Sequence, residues 1–173
     1  MPQRGAEGPD RCEAGRVDAP DKELLVVCAS RTGSNARLVD ALVEGTATEG
    51  IEGVTTRVVE PLDAGPDDVR DADLIVLAAP PRLGMITGLM KDFLERIYYP
   101  CLDETVGLPC AIVMKGDTDA SGALDQTNKI LTGLQWKQVQ PPLVVIGEVT
   151  DADLDAAREL GATLAGGLSV ELW

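Results

Sequence analysis

Three hydroxyl side chains fall within five positions of the stretch SRTGSN, which occupies residues 30–35. They belong to Ser30, Thr32 and Ser34; an apolar run precedes them and a periodic apolar segment follows. At the start of a helix, hydroxyls and unpaired backbone N–H groups bind anions, above all phosphate, because that helix end carries partial positive charge. Local capping by Ser34 and ordinary turn chemistry explain the same residues equally well. This stretch alone leaves both interpretations open.

The remaining residues of this loop favour a phosphate that needs no metal. Gly33 lets the backbone approach a ligand closely, and the amide of Asn35 adds a donor. The loop lacks the lysine motif of nucleotide triphosphatases and the G-x-G-x-x-G motif of dinucleotide folds. It also lacks the acidic residues with which receiver domains hold a metal ion. The candidate phosphate-binding residues are Ser30, Arg31, Thr32, Gly33, Ser34 and Asn35.

Two later loops could complete a ligand site. In PPRLGMITG (80–88) two prolines fix an extended backbone, Arg82 supplies a cation, and Gly84 permits close approach of a flat ligand. An exposed arginine in a rigid loop is the alternative interpretation. The loop KGDTDASGA (115–123) has turn chemistry throughout and is a weaker indication. The candidate ligand-binding residues in these loops are Pro80, Pro81, Arg82, Leu83, Gly84, Gly116 and Asp117.

Apolar runs alternate with amphipathic segments along most of the chain, and this pattern positions the loops. Strands are predicted at residues 23–29, 54–60, 73–80, 110–116 and 137–147, and helices at 34–50, 86–98, 121–135 and 150–166, with Ser121 and Thr150 as N-caps. The alternation predicts a three-layer α-β-α fold, an α/β fold whose five-stranded parallel sheet has the order 2-1-3-4-5. In such sheets ligands bind beyond the carboxyl ends of the strands, where the order reverses. The loops after strands 1, 3 and 4 are expected to meet there.

Composition excludes several classes of function. Histidine is absent, so a Ser–His or Cys–His nucleophile pair is excluded, and no residue is assigned as catalytic acid or base. The cysteines at 12, 28, 101 and 110 form no C-x-x-C pair, and no metal site is expected. The net charge of −14 argues against nucleic acid and anionic membranes as partners. We interpret the excess of acidic residues as a source of solubility or as an adaptation to salt. The alternative is an acidic docking surface for a basic redox partner.

The length of 173 residues is suited to one domain. Residues 1–22 are rich in Gly, Pro and charge without apolar periodicity, and we expect them to form a disordered tail before a domain at 23–173. No apolar run reaches the roughly 18 residues of a membrane span, and the first residues lack the apolar region of a secretory signal. We therefore expect a soluble, cytoplasmic protein.

Two of these loops resemble motifs of the flavodoxin family, in particular its NAD(P)H-dependent oxidoreductase branch. The stretch SRTGSN is similar to the phosphate motif Thr/Ser-x-Thr-Gly-x-Thr, whose hydroxyls and backbone amides hold the phosphate of FMN. The stretch APPRLGMITGLMKDFLER (79–96) resembles the Thr-Pro-Thr-Arg-Phe-Gly loop and the helix after it, which flank the isoalloxazine ring. The chain departs from the family pattern at Asn35, Pro81 and Leu83, where a hydroxyl residue, a threonine and an aromatic residue are usual. Loss of that aromatic residue predicts weaker stacking on the ring.

The resemblance implies FMN as the cofactor and an oxidoreductase that passes electrons from NAD(P)H to a quinone, a flavin or a similar small acceptor. It also implies a redox protein as an alternative partner, and a homo-oligomer that could complete the flavin pocket. A flavodoxin-type electron carrier without a substrate of its own is the first alternative, which the acidity favours. A domain that has lost its cofactor and serves in protein interactions is the second, which Pro81 and Leu83 favour.

Overall fold

The computed structural model describes residues 21–29 and 33–173. The strands are β1 (Lys22–Cys28), β2 (Val54–Val59), β3 (Leu74–Ala78), β4 (Pro109–Gly116), β5 (Lys137–Gln138) and β6 (Leu143–Ile146). The helices are α1 (Gly33–Thr46), α2 (Pro66–Asp71), α3 (Gly88–Cys101), α4 (Ser121–Gly133) and α5 (Asp151–Ser169). The predicted tail lies outside the described residues except for its last two positions. Lys22 already belongs to β1, since its N–H donates to the carbonyl of Gly53 at 2.8 Å.

The strands form one parallel sheet in the order β2-β1-β3-β4, with both β5 and β6 beside β4. The predicted order 2-1-3-4-5 and the α/β class are confirmed. The stretch 137–147, predicted to hold the fifth strand, contains two short strands, β5 and β6. Pro141 and Pro142 lie in the gap between them, and a proline has no N–H to donate to the neighbouring strand.

Alternate residues of the central strands are buried on opposite faces of the sheet. Leu24, Val26 and Cys28 of β1 pack in a core with α1 and α5. Leu25 and Val27 pack on the other face with α2, α3 and α4. The three layers follow from these uncharged strands, because both faces of a parallel sheet must be covered. Within the described ranges no helix has the length and apolar character needed to cross a membrane.

Helices α1 and α5 approach each other closely at Gly161. A Cβ atom built at Gly161 would overlap the carbonyl oxygen of Leu42 in α1 and lie 2.9 Å from the carbonyl carbon. Only a glycine permits this backbone-to-backbone contact. The contact matters for the site because α1 begins at the carboxyl end of β1 and carries Ser34 and Asn35 in its first turn.

Several helix ends differ from the prediction. Helix α1 ends at Thr46 rather than near residue 50, where the N–H groups of Ala47 and Thr48 donate to carbonyls three residues earlier, those of Glu44 and Gly45, in place of the four-residue helical pattern. Helix α3 begins at Gly88 rather than at residue 86 and continues to Cys101, beyond the predicted residue 98.

The two predicted N-caps have different outcomes. Thr150 caps α5 as predicted, because its hydroxyl accepts the N–H of Asp153. Ser121 is not an N-cap: it is the first residue of α4, and its own N–H donates to Asp119 Oδ1 at 3.0 Å. Helix α5 also extends to Ser169, past the predicted residue 166.

Candidate functional site

The loops after β1, β3 and β4 meet at the carboxyl edge of the sheet, beside the point where strand order reverses. They line a cavity of about 220 Å³. The lining residues are Gly33, Ser34, Asn35, Pro80, Pro81, Arg82, Lys115, Gly116 and Asp117. All of them except Lys115 are candidates from the sequence. Ser30, Arg31 and Thr32 lie outside the described residues, so their part in the site stays a prediction.

The first turn of α1 forms one wall of this cavity. Gly33 starts the helix with a φ of +73°, and Ser34 follows within the turn rather than at the N-cap position. Asn35 is only 4% exposed. Its Oδ1 is buried and has no hydrogen-bond partner within the described part of the chain. An unpaired buried polar atom costs about 1–3 kcal/mol, so this oxygen is a feature of the cavity wall that packing alone leaves unsatisfied.

Two cations from the other loops line the same cavity as the first turn of α1. Arg82 is exposed and forms no ion pair with any carboxylate in the described ranges. Lys115, whose side chain is only 14% exposed, forms an ion pair with Asp117. That bond and the charge of Lys115 lower the pKa of Asp117, and the charge of Arg82 acts in the same direction. The described lining of the cavity therefore carries one acidic and two basic side chains, in a chain whose net charge is −14.

The loops after β3 and β4 support each other. A Cβ atom built at Gly116 would lie 3.0 Å from Cγ of Pro81, so the proline ring rests against the end of β4. In the same loop Asp119 accepts the N–H of Ser121, and this backbone hydrogen bond lowers the pKa of Asp119. Pro81, which departs from the family pattern, thus packs against its neighbouring loop.

Residues 82–85 form a tight two-residue turn next to the cavity. Arg82 and Met85 exchange two backbone hydrogen bonds of 2.8 and 2.9 Å. Leu83 and Gly84 both have positive φ, 53° and 72°, as a type I′ turn requires. Leu83 is 94% exposed at the tip. Leu83 and Gly84 are not among the residues that line the cavity, so their predicted contact with the ligand stays a prediction.

Helix α4 holds this turn in place at two points. The N–H of Ile86 donates to Oε1 of Gln126 at 3.1 Å. A Cβ atom at Gly122 would overlap the carbonyl oxygen of Gly84, so the turn lies directly on the first turn of α4. These contacts explain how a leucine is kept in a backbone conformation that L-residues disfavour by about 1–2 kcal/mol.

Replacing Leu83 by asparagine is expected to raise the free energy of unfolding by about 0.5–1 kcal/mol. Asparagine adopts positive φ at lower cost, and Leu83 has almost no packing to lose. Urea denaturation measures the change. Leu62→Asn is the matched control, because Leu62 is also exposed, at 64%, and is not among the residues with positive φ. Equal gains in both variants would contradict turn strain as the cause.

Three features of the site were missed from the sequence. Lys115 is the single charged residue in the run PCAIVMKG and stands one residue before its carboxyl end, which could have indicated a ligand contact. Gln126 lies in the second turn of α4, and nothing in the local sequence links it to residue 86. The pairing of Asn35 Nδ2 with Cys28 Sγ, at 3.9 Å, also depends on how β1 and α1 pack.

Solved structures of several flavoproteins share the fold. A flavodoxin from the domain Archaea matches with a TM-score of 0.73 and 18% identity, over 84% of this chain and 98% of that one. The flavodoxin, WrbA-like protein from Agrobacterium tumefaciens matches with a TM-score of 0.68 and 18% identity, over 86% and 98%. The rubredoxin oxygen:oxidoreductase of Desulfovibrio gigas matches with a TM-score of 0.72 and 16% identity, over 88% of this chain but only 37% of that one. At these identities the likeness establishes the flavodoxin fold alone.

Comparison of sequences gives evidence for the family, which fold similarity alone does not. Over 95 residues the chain is 26% identical to a flavodoxin of Aquifex aeolicus (strain VF5), and the match spans 54% of this chain and 50% of that protein. Residues 23–151, well over half of the chain, match the family model described as NADPH-dependent FMN reductase. Flavodoxins and members of this family bind FMN.

The residues present fit the phosphate of FMN. The described cavity lining combines a helix N-terminus, a half-buried hydroxyl at Ser34, the amide of Asn35, whose Nδ2 is a donor, and the cations Arg82 and Lys115. These are groups that bind a phosphate without a metal ion. Together with the match over residues 23–151, they lead to the conclusion that this chain belongs to the NADPH-dependent FMN reductase family.

Proposed function

We propose that this protein is an oxidoreductase that binds FMN at the carboxyl edge of its sheet and transfers electrons from NADPH to a quinone, a free flavin or a similar small acceptor. The observation that carries the proposal is the basic cavity at the start of α1. In a chain of net charge −14, it brings Arg82, Lys115 and the helix N-terminus together in the lining of one cavity. An anionic ligand is the occupant that this arrangement favours.

The first turn of α1 holds the phosphate end in this proposal. Its backbone N–H groups, the hydroxyl of Ser34 and the amide of Asn35 act as donors, and Ser30 and Thr32 add hydroxyls from the loop before the helix. Each such bond to a charged group contributes about 1.5–3 kcal/mol. Arg82 and Lys115 supply positive charge on the opposite wall, and the turn at 82–85 flanks the ring.

Bound FMN supplies the hydride and electron chemistry, while the protein supplies position and charge. No acid or base from the chain is needed for that task. Within the described lining, the carboxylate of Asp117 has a lowered pKa because of its bond to Lys115. The chain's contribution is to hold the cofactor at the sheet edge, where a nicotinamide and then an acceptor could reach it.

An electron carrier is the second candidate, and a specific observation favours it. Leu83, Met85 and Leu89 expose apolar side chains next to the cavity, at 94%, 49% and 43%. A redox partner protein would cover such a tip, and the strongly acidic chain would suit a basic partner. A carrier of this kind has no small substrate and does not react directly with NADPH.

One preparation tests both candidates. The purified protein is stripped of flavin, reconstituted with FMN and mixed with NADPH without oxygen, and the visible absorption of the flavin is followed. For the reductase we expect NADPH alone to bleach the flavin and an added quinone to restore the colour over many turnovers. Bleaching only with a separate reductase present would identify a carrier. Failure to retain FMN would overturn both functions.

A further inference from the structure

Asn35, which lines the cavity, forms a buried pair with Cys28. Cys28 ends β1 with 1% exposure, and Asn35 lies in the first turn of α1 with 4% exposure. Asn35 Nδ2 donates to Cys28 Sγ at 3.9 Å, and Asn35 Oδ1 has no partner among the described residues. The amide thus directs its donor at a sulfur, which is a weak acceptor, and leaves its strong acceptor unpaired.

This orientation does not suit a phosphate. A phosphate dianion offers acceptors alone, so an amide oxygen directed at it would repel it, whereas an amide nitrogen would bind it. Rotation of the carboxamide by a half turn exchanges the two atoms within nearly the same volume. Asn35 Oδ1 then lies near Sγ, where the thiol can donate its S–H, and Nδ2 becomes available to the cavity.

We propose that Cys28 is a positioning residue for the phosphate end of the cofactor. Its thiol donates to Oδ1 of Asn35 when a phosphate is bound, and so holds the amide with Nδ2 donating into the cavity. A hydroxyl side chain at position 35 would need no such support, because one atom both donates and accepts. The pair therefore couples an internal thiol to the presence of a phosphate. This inference rests on the proposed FMN site.

Two variants of Cys28 test the pair. Cys28→Ala removes the donor, and we expect it to weaken FMN binding about 3- to 10-fold, the value of one hydrogen bond, while riboflavin affinity changes less than about twofold. Cys28→Ser keeps a donor and is expected to retain FMN affinity within about twofold of wild type. Cys110→Ala is the matched control, because Cys110 is also fully buried but lies in the core on the other face of the sheet. Fluorescence titration with both flavins gives the affinities.

Infrared spectroscopy of the wild-type protein gives a second readout that needs no variant to fold. The S–H stretching band of Cys28, assigned by its absence from Cys28→Ala or by cysteine labelling, is expected to move to lower frequency when FMN is added and to stay in place with riboflavin. The positioning role would be overturned if FMN left the S–H band in place. It would also be overturned if Cys28→Ala lowered the affinities for FMN and riboflavin equally. In both cases wild-type FMN binding is intact, so the proposed function would stand. Wild-type protein that binds no FMN would overturn both.

Discussion

A Ser34→Asp variant is expected to bind FMN at least about 100-fold more weakly than the wild type, while riboflavin affinity changes less than about threefold. Ser34 lines the cavity in the first turn of α1, so a carboxylate there would compete for the helix N–H groups and repel the phosphate. Two unit charges about 5 Å apart at an effective dielectric constant near 20 interact by roughly 3 kcal/mol. A 100-fold loss corresponds to about 2.7 kcal/mol. Riboflavin lacks the phosphate and avoids the repulsion.

The free energy of unfolding of flavin-free Ser34→Asp should stay the same or rise, although the variant binds FMN more weakly. An acidic residue in the first turn of a helix stabilises it by about 0.3–1 kcal/mol, and α1 has no acidic residue there. Ser34→Asp should therefore unfold at the same or slightly higher urea concentration than the wild type. A variant that loses FMN while gaining stability cannot owe that loss to unfolding.

Two controls isolate the charge at the site. Ser34→Ala removes the hydroxyl without adding charge, and we expect about a 3- to 10-fold loss of FMN affinity. Gln138→Glu adds the same net charge on exposed β5. This strand pairs with the first residues of β4, whereas the cavity lies at the carboxyl ends of the strands, so FMN affinity should not change. Equal losses of FMN and riboflavin in Ser34→Asp would show that this turn does not hold the phosphate.

Gly161→Ala is expected to lower the free energy of unfolding by about 2–4 kcal/mol. The added methyl group would overlap backbone atoms of Leu42, which cannot rotate away as a side chain would. Helices α1 and α5 must separate to admit it. Alanine's higher helix propensity returns only about 0.5–1 kcal/mol. Because α1 carries the phosphate-binding turn, FMN affinity should fall as well.

Gly166→Ala is the matched control in the same helix. The atom nearest to a Cβ there is Cδ1 of Ile51 at 4.0 Å, an ordinary contact distance. We expect this variant to be as stable as the wild type or more stable by up to about 1 kcal/mol. Urea denaturation of both variants gives the comparison. If Gly161→Ala unfolded at the same urea concentration as Gly166→Ala, the close approach of the two helices would be contradicted.

The fold and the place of the site could be predicted because both depend on patterns local to the chain. Uncharged runs such as LLVVC and LIVLA indicate buried parallel strands, and the alternation with amphipathic segments restricts the sheet order. Since parallel strands end at one edge, Ser34, Arg82 and Asp117 could be expected near each other although 83 positions separate the first from the last. Carboxylates outnumber basic side chains in the composition, so two basic residues in one cavity indicate an anionic ligand more strongly than they would in a neutral protein.

The orientation and support of the site residues depend on distances between elements that are remote in sequence. The burial of Lys115 and the turn with Leu83 at its tip follow from how the loops rest on β4 and α4. Two prolines divide the fifth strand at a point that periodicity does not mark. The hydroxyl loop after β1 was open to two interpretations from its residues alone. For the described part of that loop, packing of α1 against β1 and α5 buries Asn35 in the wall of a cavity that Arg82 and Lys115 also line, a placement that only the tertiary structure determines.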